Sequence, residues 1–127
     1  MKLRFKGNSI RLRLGQSEVR RLASEGMLED FTHFIPGEAQ RFGYALRATF
    51  EDAFVSATFA DGRIVIHIPA EMIIQWAISD QVGIDAVQDN GHEGGLRILV
   101  EKDFECIDGA SDNSQEDAFP HPELHCA

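Results

Sequence analysis

Residues 1–13 read Met1-Lys-Leu-Arg-Phe-Lys-Gly-Asn-Ser-Ile-Arg-Leu-Arg13, and they predict the first unit of the fold. Apolar and charged residues alternate on both sides of Gly7-Asn8, which is the pattern of two half-buried strands. Glycine in the first position of a two-residue loop suits a type II′ hairpin turn. The resulting register pairs Phe5 with Ile10 on the apolar face. The chain is therefore expected to begin with a β-hairpin.

The other face of this hairpin, hereafter the basic hairpin face, carries five cationic side chains: Lys2, Arg4, Lys6, Arg11 and Arg13. Like charges that face each other across a ladder, as Arg4 and Arg11 do in this register, destabilise it. We therefore expect an anion to lie over the face. A phosphate or polyphosphate ligand is one candidate, because arginine binds such oxygens bidentately. Solvent ions or carboxylates of a neighbouring strand, such as Glu101 and Asp103, are the favoured alternative.

Charge is distributed unevenly along the 127 residues, which have a formal net charge of −9. The acidic balance argues against nucleic acid and anionic membranes as partners. Residues 1–25 contain seven basic and two acidic residues, whereas residues 101–127 contain eight acidic and one basic residue. The opposite charges predict that the two ends lie near each other. We favour Glu101 and Asp103 as the groups that reach the hairpin, since docking a flexible tail costs conformational entropy.

Targeting signals are not evident in the sequence. The first residues are charged and alternating, where a signal peptide would have an apolar run. No segment approaches the roughly 20 apolar residues of a membrane span. Cys106 and Cys126 are expected to be reduced thiols. These features predict a cytoplasmic protein.

Two helices and a series of strands are predicted from the periodicity. Ser17 is expected to cap a helix over 18–25, and Pro69 is expected to start a second helix that runs to Ser79. After the hairpin, strands are expected near 31–35, 41–50, 54–59, 64–68, 81–87 and 96–104. One core is expected to contain Ile10, Leu12, Tyr44, Leu46, Ile66, Ile68, Trp76, Ile98 and Val100.

This order of elements favours a single α+β domain over residues 1–106. We expect a mostly antiparallel, curved or partly closed sheet of about seven or eight strands, with two short helices. No internal repeat is apparent. Residues 107–127 are polar and acidic, and they predict an extended, flexible tail.

Two cysteines and two histidines near the C-terminus form a set that zinc accepts: Cys106, His121, His125 and Cys126. A usual zinc site has two close pairs, but here one cysteine stands alone and the last two candidates are adjacent. The poor spacing favours a strand-end thiol and a frayed terminus. We therefore predict no metal and no cofactor.

Catalytic signatures are also missing from the pattern. Glu101 and Asp103 share a strand face, and paired carboxylates serve acid–base chemistry, but a polar face that pairs with basic residues is favoured. His33 and His67 are expected to be structural, hydrogen-bonded histidines. The glycines between 91 and 95 lack the strand–loop–helix context of a phosphate-binding loop, and no nucleotide, hydrolase or metalloprotease fingerprint is present.

Two segments carry a resemblance to a known group of proteins. They are the opening KLRFKGNSIRLRLGQSEV and the later QVGI…LRILVEKDFECID…DAFPHP. These resemble a small family of uncharacterised bacterial proteins that have a KGNSIRLRL-like block and an ILVEKDF…C…FPNP-like block. This chain has His121 where such tails usually have asparagine. The resemblance implies no activity, because the family has no established function.

Taken together, the sequence favours a small binding or protein-interaction module and no catalytic residues. The alternative is an enzyme or binder that acts on a phosphorylated or polyphosphate ligand at the basic hairpin face. A concave basic pocket would favour the alternative, and a flat face with internal ion pairs would favour the first interpretation. The oligomeric state is left open.

Overall fold

The computed structural model describes residues 1–37, 40–104 and 117–120. Eight strands and two helices follow one another in the order β1 (Lys2–Phe5), β2 (Ser9–Leu14), α1 (Gln16–Glu25), β3 (Met27–His33), β4 (Arg41–Thr49), β5 (Ser56–Ala60), β6 (Arg63–Pro69), α2 (Ala70–Ile78), β7 (Gly83–Gln88) and β8 (Leu96–Lys102). The α+β class and the numbers of strands and helices are confirmed.

The N-terminal hairpin has the predicted register. Arg4 lies opposite Arg11 and Phe5 lies opposite Ile10 in the antiparallel β1–β2 pair. Gly7 has a φ of 55°, which a residue with a side chain rarely adopts, so glycine is required at the first loop position. The alternation of charged and apolar residues therefore sets the pairing of the first two strands.

The strands form two mixed sheets that do not close into a barrel. Sheet A has the order β1-β2-β8-β7, and sheet B has the order β3-β4-β6-β5. Four of the pairs are antiparallel, as expected, but β2 pairs with β8 and β4 pairs with β6 in parallel. These two parallel pairs join strands that are distant in sequence, so local hairpin signals did not predict them.

The chain is an internal duplication at the level of its fold, and the expectation of no repeat is wrong. Residues 2–49 and 56–102 each have the order ββαββ. The first hairpin of each half pairs with the second hairpin of the other half, so each sheet contains strands from both halves. If strands β1–β4 are exchanged with strands β5–β8, the order of sheet A becomes the order of sheet B read from its other edge. The two halves are therefore interlocked.

Equivalent residues are separated by 54 positions across most of the duplication. In the parallel pairs, Leu12 faces Val100 in sheet A, and Ile66 faces Leu46 in sheet B. The buried positions of the helices correspond in the same way: Val19 to Ile73 and Leu22 to Trp76. Strands β3 and β7 are the exception, with a separation of 56, because Leu28 faces Leu46 while Ile84 faces Val100.

One hydrophobic core lies between the two sheets and the helices. Eight of its nine predicted members are buried, and Tyr44 packs against it while half-buried. Trp76 is fully buried, and its indole nitrogen donates to the carbonyl oxygen of Val82 at 3.0 Å. The predicted core is therefore confirmed, with both halves of the duplication contributing to it.

Helix α1 is capped differently from the prediction. It begins at Gln16 with Gly15 as the N-cap residue, so Ser17 lies inside the first turn. Glycine has no side chain to accept from the exposed amides of a helix start. The carboxylate of Asp117 takes this role, because both the amide and the hydroxyl of Ser17 donate to it, the hydroxyl at 2.6 Å. A residue 100 positions later thus caps the helix.

Only residues 117–120 of the predicted tail are described, and they contact the rest of the protein. The amide of Phe119 donates to the carbonyl oxygen of Asp103 at 2.7 Å, and Phe104 and Phe119 form an isolated parallel bridge. The division of the chain near residue 106 stays a prediction, since residues 105–116 and 121–127 lie outside the described part of the chain.

Candidate anion-binding site

A concave pocket of about 200 Å³ lies on the outer face of sheet A, hereafter the basic pocket. Its lining consists of Arg4, Lys6, Ser9, Arg11, Arg97 and Leu99. Three of the five predicted residues of the basic hairpin face therefore line it. Lys2 and Arg13 do not, because they lie further along the ladder, at the paired positions nearest α1. The basic hairpin face is thus divided into a pocket and an adjoining flat part.

The strand order of sheet A brings these residues together. Strand β2 is central to the site, since Arg11 faces Arg4 on β1 and Leu99 on β8. In the same parallel ladder Ser9 faces Arg97, whose backbone amide donates to the carbonyl oxygen of Asn8 at 2.9 Å. Arg97 was missed by the sequence analysis. Its position depends on the β2–β8 register, which hairpin signals do not give.

Ion pairs neutralise the flat part of the basic hairpin face. Lys2 Nζ lies 2.7 Å from Asp103 Oδ2, and Arg13 Nε lies 2.8 Å from Glu101 Oε1. Arg11 shares the same Glu101 oxygen at 3.4 Å. The prediction that Glu101 and Asp103 reach the hairpin is therefore confirmed. The two strand carboxylates are electrostatic partners, and no acid–base arrangement is needed to explain them.

Positive charge remains in excess in the basic pocket. Arg97 Nη2 lies 2.9 Å from Asp85 Oδ2, and the hydrogen bond and charge of Asp85 raise the pKa of Arg97. Arg4 and Lys6 have no carboxylate within ion-pair distance among residues 1–37, 40–104 and 117–120. Four cations thus converge on one cavity, while the nearby carboxylates Asp85 and Glu101 are each engaged already.

The other candidate residues do not form a site in the described part of the chain. Cys106, His121, His125 and Cys126 lie outside it, so the zinc hypothesis stays untested. No group of three or more potential metal ligands occurs among the described residues. His67 Nε2 lies 3.2 Å from Thr58 Oγ1, as expected for a structural histidine, whereas His33 is exposed near the Phe31 ring.

Comparison with known proteins identifies a family without assigning a function. Residues 1–123 match DUF7009, described as a family of unknown function. The chain belongs to DUF7009. No curated protein and no solved structure matches it. No helix among the described residues is both long and apolar enough to cross a membrane.

Proposed function

We propose that this DUF7009 protein is a small binding module that holds a compact anion, such as a phosphate or diphosphate group, in the basic pocket. The single observation that carries the proposal is the convergence of Arg4, Lys6, Arg11 and Arg97 on one cavity of about 200 Å³. Two of these cations, Arg4 and Lys6, lack a carboxylate partner among the described residues, which leaves their donors available.

The chemistry of the lining supports binding of an oxyanion. Guanidinium groups present paired donors that match two phosphate oxygens, and the ammonium and hydroxyl groups of Lys6 and Ser9 add further donors. Leu99 supplies an apolar patch in the floor. The pocket is smaller than the usual 300–1,000 Å³ or so of small-molecule sites, so it fits a phosphoryl group better than a large ligand.

Binding, without turnover, is the form of the proposal that the lining supports. The donors can hold and neutralise an anion, but among the residues that the structure describes, none of those lining the pocket is a carboxylate or imidazole that could act as a general base. The proposal includes the cytoplasmic location expected from the sequence.

Calorimetric titration with inorganic pyrophosphate at low ionic strength tests the proposal. Arg4→Gln is expected to weaken binding about tenfold or more, because a hydrogen bond to a charged group contributes about 1.5–3 kcal/mol. Arg20→Gln is the matched control, since Arg20 is an exposed arginine on α1 outside the pocket. It should leave the affinity nearly unchanged.

Two results would contradict this assignment. One is equal weakening by Arg4→Gln and Arg20→Gln, which would show a general charge effect. The other is the absence of heat and of amide chemical-shift changes at millimolar pyrophosphate with the wild-type protein.

A further inference from the structure

A short peptide of the chain is seated on a surface formed by the start of α1 and the end of β8. We call residues 117–119 the strap, and Gly15, Gln16, Ser17, Asp103 and Phe104 the cradle. Backbone and side-chain groups of the cradle bind the strap at every residue. The amide of Gln16 donates to the carbonyl oxygen of Asp117 at 2.8 Å, and its side-chain nitrogen donates to that of Ala118 at 3.0 Å.

The first and last residues of the strap, Asp117 and Phe119, are held by different interactions. The carboxylate of Asp117 accepts from Ser17 at the positive end of a ten-residue helix, where negative charge is favourable. The ring of Phe119 lies 5.8 Å from the ring of Phe104 and packs against the core. The cradle is therefore a binding surface for the sequence Asp-Ala-Phe.

Gly15 is required for this close approach. A Cβ atom at Gly15 would lie 2.8 Å from the backbone oxygen of Asp117 and would overlap its carboxylate. Cβ contacts that short are essentially never observed, so a side chain at this position would force the strap to shift. The cradle is thus selective for a peptide that lies directly against the glycine.

The sequence of the strap occurs a second time. Glu116-Asp117-Ala118-Phe119 repeats Glu51-Asp52-Ala53-Phe54. The earlier copy directly follows β4, and it is not the duplication equivalent of the strap, because the two copies are separated by 65 positions and the two halves by 54. Its own aromatic residue, Phe54, is 81% exposed, and the preceding Phe50 is 91% exposed. Asp52 makes no hydrogen bond or ion pair with the described residues.

The start of α2 offers the earlier copy no cradle of its own. The cradle position that corresponds to Gly15 is Pro69, and the one that corresponds to Ser17 is Glu71. Proline has a Cβ where the strap must pass, and a glutamate repels the aspartate that serine binds. The start of α2 therefore forms no cradle, and the loop over residues 51–54, hereafter the exposed copy, leaves its Phe54 exposed.

We propose that the exposed copy of one molecule binds the cradle of a second molecule of the same chain, and that the strap is a tethered competitor that suppresses this self-association. The cradle and the basic pocket share no residue, so this inference is independent of anion binding. A tethered competitor acts at an effective concentration on the order of millimolar. Self-association therefore becomes strong when the strap leaves the cradle.

Sedimentation velocity of an Asp117→Ala/Phe119→Ala double variant tests the proposal. Its average mass should rise with protein concentration to at least twice that of the monomer, while the wild-type mass rises far less. Adding Phe54→Ala or Gly15→Ala to the double variant should restore the monomer. Adding Phe59→Ala is the matched control, because Phe59 is 69% exposed on β5 outside the repeated sequence, and it should leave the association intact.

A double variant that keeps the wild-type circular dichroism but stays monomeric would overturn the proposal, as would association that survives Phe54→Ala. If the double variant does not fold, a peptide of residues 49–55 added to the Asp117→Ala single variant, whose strap no longer accepts from Ser17, decides the matter. The amide signals of Gln16 and Ser17 should shift with this peptide and not with its Phe54→Ala form. Unchanged signals at saturating peptide would equally overturn it.

Discussion

Arg4 lines a cationic pocket on sheet A, and its counterpart in the duplicated half, Thr58, lies on the outer face of sheet B. The other five residues that line the pocket also have counterparts in sheet B. Lys6, Ser9, Arg11, Arg97 and Leu99 correspond to Ala60, Arg63, Val65, Gly43 and Ala45. Sheet B keeps one cation at these six positions, and that cation, Arg63, pairs with Glu29. The two sheets therefore share the same strand arrangement, while only sheet A carries a cluster of positive charge.

Sheet B also fills the space that is open in sheet A. The ring of Phe31 lies over Gly43, where a Cβ atom would come within 2.8 Å of a ring carbon, and the guanidinium of Arg41 stacks 4.0 Å from the ring centre. In sheet A the residue that faces Arg97 is Val87, which is smaller and 66% exposed. An aromatic ring thus covers one sheet at the place where the other has a pocket.

Equivalent core positions should respond equally to truncation, and this is the largest effect we expect. Leu12→Ala and Ile66→Ala should each lower the free energy of unfolding by about 2–5 kcal/mol, because both side chains are fully buried at corresponding places. Denaturant unfolding measures both. A loss below about 1 kcal/mol at either position, with the other as expected, would break the equivalence of the two halves.

Charge removal should distinguish the sheets. Glu101→Gln should destabilise the protein more than Glu29→Gln, by roughly 0.5–1 kcal/mol, because Glu101 holds two arginines on sheet A and Glu29 holds one on sheet B. The difference should shrink as salt is raised. Equal losses for the two variants, measured by denaturant unfolding at low ionic strength, would contradict the distinction.

The smallest expected effect is the change in stability with pH that comes from Tyr44, the single tyrosine of the chain. Burial, and then the charges of Asp30 and Glu18, raise the pKa of Tyr44 above 10.0. Because the native state then retains a proton that the unfolded state releases, the contribution of Tyr44 to stability is complete below pH 10.0 and is lost as the pH rises through the folded pKa. Absorbance titration of the phenolate reports Tyr44 alone. A midpoint at or below pH 10.0 in the folded protein would show that Tyr44 is solvated.

Local patterns were sufficient to predict the hairpin, the core and the partners of the basic face. Gly7-Asn8 and the alternation around it set the β1–β2 register, and the opposite charges of the two ends indicated Glu101 and Asp103. These inferences succeeded because they depend on neighbours in sequence or on simple charge balance.

Features that depend on long-range pairing were missed. Residues of the two halves correspond in pattern while differing in identity, as Leu22 does from Trp76, so the duplication is evident only in the strand order. Arg97 reaches the pocket through the parallel β2–β8 register. The repeated Glu-Asp-Ala-Phe was the one local signal of the strap that could have been read from the sequence.

Amide NMR during titration of the wild-type protein with inorganic pyrophosphate observes both sheets in one experiment, and it therefore shows whether only sheet A binds the anion. Saturable amide shifts are expected at Arg4, Arg11 and Arg97 in sheet A. The corresponding residues of sheet B, Thr58, Val65 and Gly43, should stay unchanged throughout. Equal shifts on both sheets, or none on sheet A at saturating pyrophosphate, would contradict the claim that only one half of the duplication forms an anion site.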